Sequence, residues 1–258
     1  MLELEVIAVL LVGYLLGSIP FAVIVAKRSG IDVYSVGSGN PGATNVLRYV
    51  GKGLGRIVFA LDFLKGLFAT CWFQLEFLIA SPNDPEFLGL CGMIASVVGH
   101  SFPVFARFRG GKGVATTMGA LLGVMPAAMA VGLLVWGGLF FSFRYVSLAS
   151  IAFGLSLPIT VFFGELLSEG EGRYSKVAFA ALLGFWILVR HRSNLSRLLA
   201  GEEDKFSSSK SNSRKPPPSS VIPSRPIGVM SARTPESTIP TTIIETPPAK
   251  IFLSTNIT

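Results

Sequence analysis

Histidine and cysteine are scarce in this chain, with two of each among 258 residues: His100, His191, Cys71 and Cys91. Both cysteines fall in apolar stretches, so neither a disulfide framework nor a zinc site is expected, and two histidines exclude a His-rich metal centre. Charge is thin as well. Only 14% of residues are Asp, Glu, Lys or Arg, against about 25% in a soluble domain. Half the residues are hydrophobic and the mean hydropathy is +0.60, which places the chain in a membrane class. A P-loop is missing too, because it requires Ser or Thr after the lysine; Lys112 is followed by Gly113, and Lys52 by Gly53. No internal repeat is visible, which gives an inverted-repeat transporter little support.

Long apolar runs are abundant. A spanning helix needs about 20 apolar residues, and such helices are expected near 5–26, 57–80, 87–106, 147–166 and 174–190. The first run lacks the basic leader and small-residue cleavage site of a signal peptide and leads into further spans, so it reads as a retained helix. The stretch 114–143 is too long for one upright helix and short for two, and Pro126 in its middle can divide it into two short crossings. Charge decides in favour of that division. With seven crossings, one face collects twelve cations: Lys27, Arg28, Arg48, Lys52, Arg56, Arg107, Arg109, Lys112, Arg144, Arg190, Arg192 and Arg197. The other face holds Arg173 and Lys176 beside Asp84, Glu86, Glu165, Glu169 and Glu171. The positive-inside rule makes the cationic face cytoplasmic. The expected fold is therefore all-α: a polytopic membrane protein with seven transmembrane helices, the N-terminus outside and the C-terminus cytoplasmic. Residues 1–203 form the membrane domain, and the Ser/Thr/Pro-rich stretch 204–258 is too poor in large apolar residues to build a core, so a disordered cytoplasmic tail is expected there.

Three polar segments interrupt the apolar background. Gly37–Lys52, "GSGNPGATNVLRYVGK", offers Ser38, Asn40, Thr44, Asn45 and Arg48, with Gly42 and its neighbouring glycines permitting close backbone approach. Arginine presents a planar fork of donors to phosphate, and glycine-rich turns add backbone N–H groups. The second segment, "HSFPVFARFRGGKGVAT" (100–116), sets Lys112 among Gly110, Gly111 and Gly113. Arg107 and Arg109 are read there as topogenic and Lys112 as a phosphate ligand. The third, "RHRSNLSRLLAGEE", places His191 and Asn194 three residues apart, on one face of a helix, with Arg197 extending it. Asp62 and Lys65, three apart within the second span, are read as a structural ion pair and His100 as an interfacial histidine.

All three segments lie on the same face under this topology. A cationic surface site beside a lipid-exposed bundle suits one water-soluble anion and one acyl-chain partner, as in lipid synthesis or organic-phosphate transport. Carriers place their polar sites near the bilayer midplane, whereas here the polar residues cluster at one face.

"SGNPGATNVLR", "GHSFPVFARFRGGKGVAT" and "HRSNLSRLLAGEE" closely resemble, in order and spacing, the three signature motifs of the bacterial membrane acyl-phosphate:glycerol-3-phosphate acyltransferases; the resemblance covers about 1–203. It implies a multi-pass protein of the bacterial inner membrane with its active site facing the cytoplasm. The implied reaction transfers a fatty acyl group from long-chain acyl phosphate to the 1-hydroxyl of glycerol 3-phosphate, giving lysophosphatidate and phosphate in phospholipid synthesis. No cofactor, metal or nucleic acid is implied, and a soluble acyl-phosphate-producing enzyme fits as a partner. Carried onto this chain, the catalytic residues are Ser38, Arg48, Lys112, His191 and Asn194. Substrate binding is expected of Asn40, Gly42, Thr44, Asn45, Gly110, Gly111, Gly113 and Ser147. The H-x4-D pair common among other acyltransferases is absent, since the fifth residue after His100 is Phe105 and after His191 is Ser196. With no serine or cysteine nucleophile beside a base, direct attack is expected rather than an acyl-enzyme.

Overall fold

The computed structural model describes residues 2–72, 84–167 and 174–206. Among these residues the chain is helical, without strands. The helices are α1 (Leu2–Gly17), α2 (Phe21–Arg28), α3 (Ala43–Tyr49), α4 (Lys52–Cys71), α5 (Pro85–Ser101), α6 (Val114–Val124), α7 (Pro126–Phe143), α8 (Val146–Leu167), α9 (Tyr174–Arg190) and α10 (Arg192–Leu199), with a 3-10 turn at Val104–Ala106. Among the described residues, four segments are long and apolar enough to cross a membrane: Leu4–Arg28, Pro85–Ala106, Pro126–Phe143 and Val146–Leu167.

Local chemistry sets most of the boundaries. Asp84 caps α5 by accepting the Glu86 N–H at 3.0 Å, with Pro85 opening the helix, where its missing N–H costs nothing. Pro126 divides 114–143 as expected, opening α7 in the same way after Met125. The first span differs from the expected single helix over 5–26. It breaks between Gly17 and Phe21, because Pro20 supplies no N–H and its ring cannot follow a helical turn. The second span is described only to Trp72, so its expected end at 80 lies outside the described residues, as does Arg173.

Helix α6 has 11 residues, a rise of about 16 Å, roughly half the bilayer core of about 30 Å. It lies against the inner part of α4 rather than beside all of it. An added Cβ at Gly66 would stand 2.1 Å from Thr116 O, and one at Gly119 would stand 1.8 Å from Phe63 O. Backbone therefore meets backbone at this crossing, the small-residue packing that membrane bundles use where hydrophobic burial gives no drive. Because Thr116 is level with Gly66, the loop before α6 sits well inside the span of α4.

The two ends of the bundle have opposite chemistry. Lys176 of α9 pairs with Glu86 of α5 at 2.5 Å and with Glu165 of α8 at 3.4 Å. At the other end the C-termini of α5 and α9 meet the N-termini of α6 and α8, and the cation-rich segments gather there. The expected tail beginning at 204 needs correction at its start. Phe206 N–H donates to Arg144 O at 2.6 Å and its ring meets Phe140 at 5.4 Å, so 204–206 pack on the membrane domain; the remainder, 207–258, lies outside the described residues.

Gly119→Ala should destabilise the detergent-solubilised protein by about 1–3 kcal/mol or more, because the new methyl must displace backbone. Gly137→Ala, with nothing within 4 Å of its added Cβ, should leave the unfolding temperature unchanged or raise it. Thermal unfolding of the two variants side by side checks the pair.

Candidate active site

The three polar segments converge on one cleft of about 1680 Å³. Single-ligand pockets occupy about 300–1,000 Å³, so this one has room for two substrates. Ser38, Arg48, Lys112, Ser147, His191 and Asn194 all line it, as do Asn40, Gly42, Thr44, Asn45, Gly110 and Gly113. Phe59, Met118, Trp136, Phe140, Trp186 and Val189 give the same cleft an apolar wall.

The first segment is shaped by Asn45. Its amide donates to Val33 O and Val36 O, each at 3.1 Å, and its oxygen accepts the Ser38 N–H at 3.3 Å. Expected as a substrate contact, Asn45 instead spends its amide on folding the loop. Gly37 and Gly39 take positive φ, the left-handed turns that bring Ser38 to the rim. One turn further along α3, Arg48 Nη2 donates to Asp204 O at 3.2 Å, with the Asp204 carboxylate 3.9 Å from Nη1.

The glycine-rich loop is pinned on several sides. Arg190 Nη2 donates to Gly110 O at 3.1 Å and Gly111 O at 2.8 Å, while the Tyr34 hydroxyl donates to Arg109 O at 2.7 Å. Gly111 does not line the cleft. It lies against His100, where an added Cβ would stand 2.3 Å from Nε2; the loop turns this glycine inward so that Lys112 faces out. Expected to bind substrate, Gly111 is a packing residue.

A relay then crosses the cleft. Lys112 Nζ donates to Asn194 Oδ1; Asn194 Nδ2 donates to Glu203 Oε1 at 2.7 Å; and Arg197 Nε donates to Glu203 Oε2 at 2.8 Å. Ammonium has no acceptor and carboxylate no donor, so the relay fixes which way the Asn194 amide faces. Glu203 was not singled out in the sequence. Its signal is an acid closing a basic motif. Burial alone would raise its pKa, but the nearby Ser147 hydroxyl, the Asn194 amide and the Arg197 guanidinium together hold it below the usual range. Arg190, counted in the sequence only among the cations of one face, holds the loop.

Burial lowers the Lys112 ammonium to about 8; Glu203 opposes that shift, while Arg197, Arg190 and Arg48 reinforce it. His191 is 3% exposed. Its Nδ1 lies 2.8 Å from Ile187 O, and a carbonyl can only accept, so Nδ1 carries the hydrogen and Nε2 keeps a lone pair. Burial first, and then Lys112, bring this imidazole down to about 4; Ile187 O and Glu203 oppose the shift, and Arg190 adds a smaller lowering. It is neutral throughout the physiological range. Ser147 lines the same cleft beside Glu203.

The glycerol-3-phosphate acyltransferase family model matches residues 7–201. A glycerol-3-phosphate acyltransferase of Aquifex aeolicus is 45% identical over 75% of this chain and 95% of its own length. One of Mesorhizobium japonicum is 40% identical over 78% and 95%. Among solved structures, PlsY, an integral membrane glycerol 3-phosphate acyltransferase, superposes in its glycerol 3-phosphate form with a TM-score of 0.69 at 42% identity, covering 78% of this chain and 96% of that one. Its lysophosphatidic acid form gives 0.66.

With only two histidines in the chain, the ring state of His191 is directly measurable. Nitrogen NMR of His100→Gln protein labelled with 15N-histidine should show a neutral Nδ1–H imidazole that gains its second proton near pH 4. A ring that titrates between pH 6 and 7 would contradict the environment described.

Proposed function

Because the chain belongs to the glycerol-3-phosphate acyltransferase family, we propose that it transfers a fatty acyl group from acyl phosphate to the 1-hydroxyl of glycerol 3-phosphate in phospholipid synthesis. One observation carries this reading: a single cleft that is cationic at Arg48 and Lys112 and apolar along Trp136, Phe140 and Val189. Such a site accepts two phosphates and one alkyl chain together.

The roles follow from the donors available. Ser38 and Arg48 hold a phosphate, the guanidinium exchanging Asp204 for the substrate. Gly110, Gly113 and Lys112 receive the acyl phosphate. His191 Nε2 accepts a hydrogen bond from a glycerol hydroxyl, while Asn194 and Ser147 complete the polar contacts. The 1-hydroxyl oxygen attacks the acyl carbon, the carbonyl π electrons move to oxygen, and on their return the bond from the acyl carbon to the phosphate oxygen breaks. Positive charge at Lys112 and Arg48 stabilises the departing phosphate. A carbonyl of a mixed anhydride needs no covalent enzyme intermediate. The hydroxyl proton goes to a substrate phosphate, because a His191 imidazole with a pKa of about 4 is a weak base, whereas a phosphomonoester's second pKa is about 6. The products are lysophosphatidate and inorganic phosphate.

The same reading includes seven crossings, counting α1 with α2 as one and α6 as a short one, with the N-terminus outside. The cleft then faces the cytoplasm of a bacterial cell, where a soluble enzyme can supply acyl phosphate. Support comes from the twelve cations of that face and from the Lys176–Glu86–Glu165 contacts at the opposite end. The catalytic unit ends at Phe206, with 207–258 outside it.

Purified protein given glycerol 3-phosphate should form lysophosphatidate with acyl phosphate and not with acyl-CoA, and a chelator should leave the rate unchanged. Comparable turnover with acyl-CoA, or complete loss in chelator, would overturn the donor assignment.

A chain ending at Phe206 should keep its specific activity. One ending at Glu202 should lose more than about tenfold, because Arg197 and the Lys112–Asn194 pair are left without their carboxylate. Assays on equal amounts of inserted protein distinguish these outcomes.

A further inference from the structure

Asp62, Lys65 and His100 form a buried charged cluster that the proposed chemistry does not use. The two α4 residues, one turn apart, are 2% and 5% exposed, and their carboxylate and ammonium stand 2.8 Å apart. His100, from α5, brings Nδ1 to 3.5 Å from the same carboxylate oxygen. Lys65 also donates to Ile19 O at 2.9 Å, a carbonyl at the break before α2. Ionisable groups at this depth are costly and are retained where they do work. A plain ion pair between neighbouring turns of α4 would need no histidine from another helix.

What the cluster reaches is the loop. His100 O accepts the Gly111 N–H at 3.1 Å. Added Cβ atoms would stand 2.1 Å from His100 O at Gly110 and 2.3 Å from His100 Nε2 at Gly111, so both glycines lie directly on this residue. Lys112 follows at once and faces the cleft. Arg190 holds the loop's carbonyls from the other side, while its inner surface packs on His100, with Ser101 O and Pro103 beside Gly110 and Pro41 O beside Gly111. We propose that Asp62, Lys65 and His100 are positioning residues for the acyl-phosphate loop. Asp62 orients the His100 ring, His100 seats Gly110 and Gly111, and the Lys112 ammonium is thereby held at the height where the donor phosphate binds. Lys65 pairs with the carboxylate and ties the assembly to the broken first span. The inference rests on the reading of Gly110–Gly113 as the donor loop, and it sets the acceptor contacts at His191 and Asn194 apart from the cluster.

The test separates positioning from stability. Asp62→Leu combined with Lys65→Met removes both charges, so no unpaired ion stays buried; replacing a buried pair by apolar residues of similar volume is often neutral for stability. The full-length double variant should unfold within a few degrees of wild type. Its KM for acyl phosphate should rise by about tenfold or more, with the KM for glycerol 3-phosphate within about twofold. His100→Gln, which leaves the α4 pair intact, should show the same split and carries the test should the double variant not insert. Wild-type KM for the donor in a folded variant, or equal rises for both substrates, would overturn the proposal. Wild type is the control for the donor reading itself. If it accepts acyl-CoA instead, that reading fails, and the split measured with the donor it does accept still decides the role of the cluster.

Discussion

Several cations share one partly buried cleft, and everything else in the structure accommodates their mutual repulsion. Burial first, and then Arg197, Arg190 and Arg48, bring Lys112 down to about 8. Two devices make the arrangement tolerable. Arg190 is turned onto the carbonyls of Gly110 and Gly111, so its charge is spent on backbone. Glu203 takes Arg197 directly and Lys112 through the Asn194 amide. The cleft that results is positive but not saturated, which is the state in which a doubly charged phosphate binds most favourably.

The same constraint explains the irregular backbone. Under the proposed function, a loop that offers N–H groups to a phosphate beside an alkyl chain has to lie below the membrane surface, where unpaired polar backbone is tolerated only inside protein or along a wet cavity. Helix α6 is short because the loop takes the first part of its path. The break at Pro20 exposes carbonyls at a similar depth, and Lys65 reaches one of them. Close packing of Gly66 and Gly119 across α4 and α6 holds the loop's exit rigidly against the longer helix.

A neutral His191 fits an enzyme whose substrates bring their own bases. With Nδ1 committed to Ile187 O, the ring can accept through Nε2 but has little affinity for a proton. In the proposed mechanism, positioning by hydrogen bonds and charge neutralisation supply the catalysis, and proton transfer is left between the reactants.

Much of this was legible in the chain by itself. Apolar runs and prolines located most helices, because helix length and hydropathy are local properties, and Pro126 marked a real division. The three polar motifs supplied most of the polar residues that line the cleft, while its apolar wall came from residues outside them. Partnership was not legible. Nothing near Lys112 announces Asn194, 82 positions away, and nothing around His100 shows that it lies under Gly111 rather than at an interface. Asn45 and Gly111 resembled ligands in sequence, yet one folds its own loop and the other packs inward. The sequence by itself determined a helical membrane protein and singled out three polar segments that the structure brings into one cleft. Only the tertiary structure decided which of those residues face the cleft and which hold the others in place, because that depends on helix crossings between segments far apart in the chain, and no local pattern encodes a crossing.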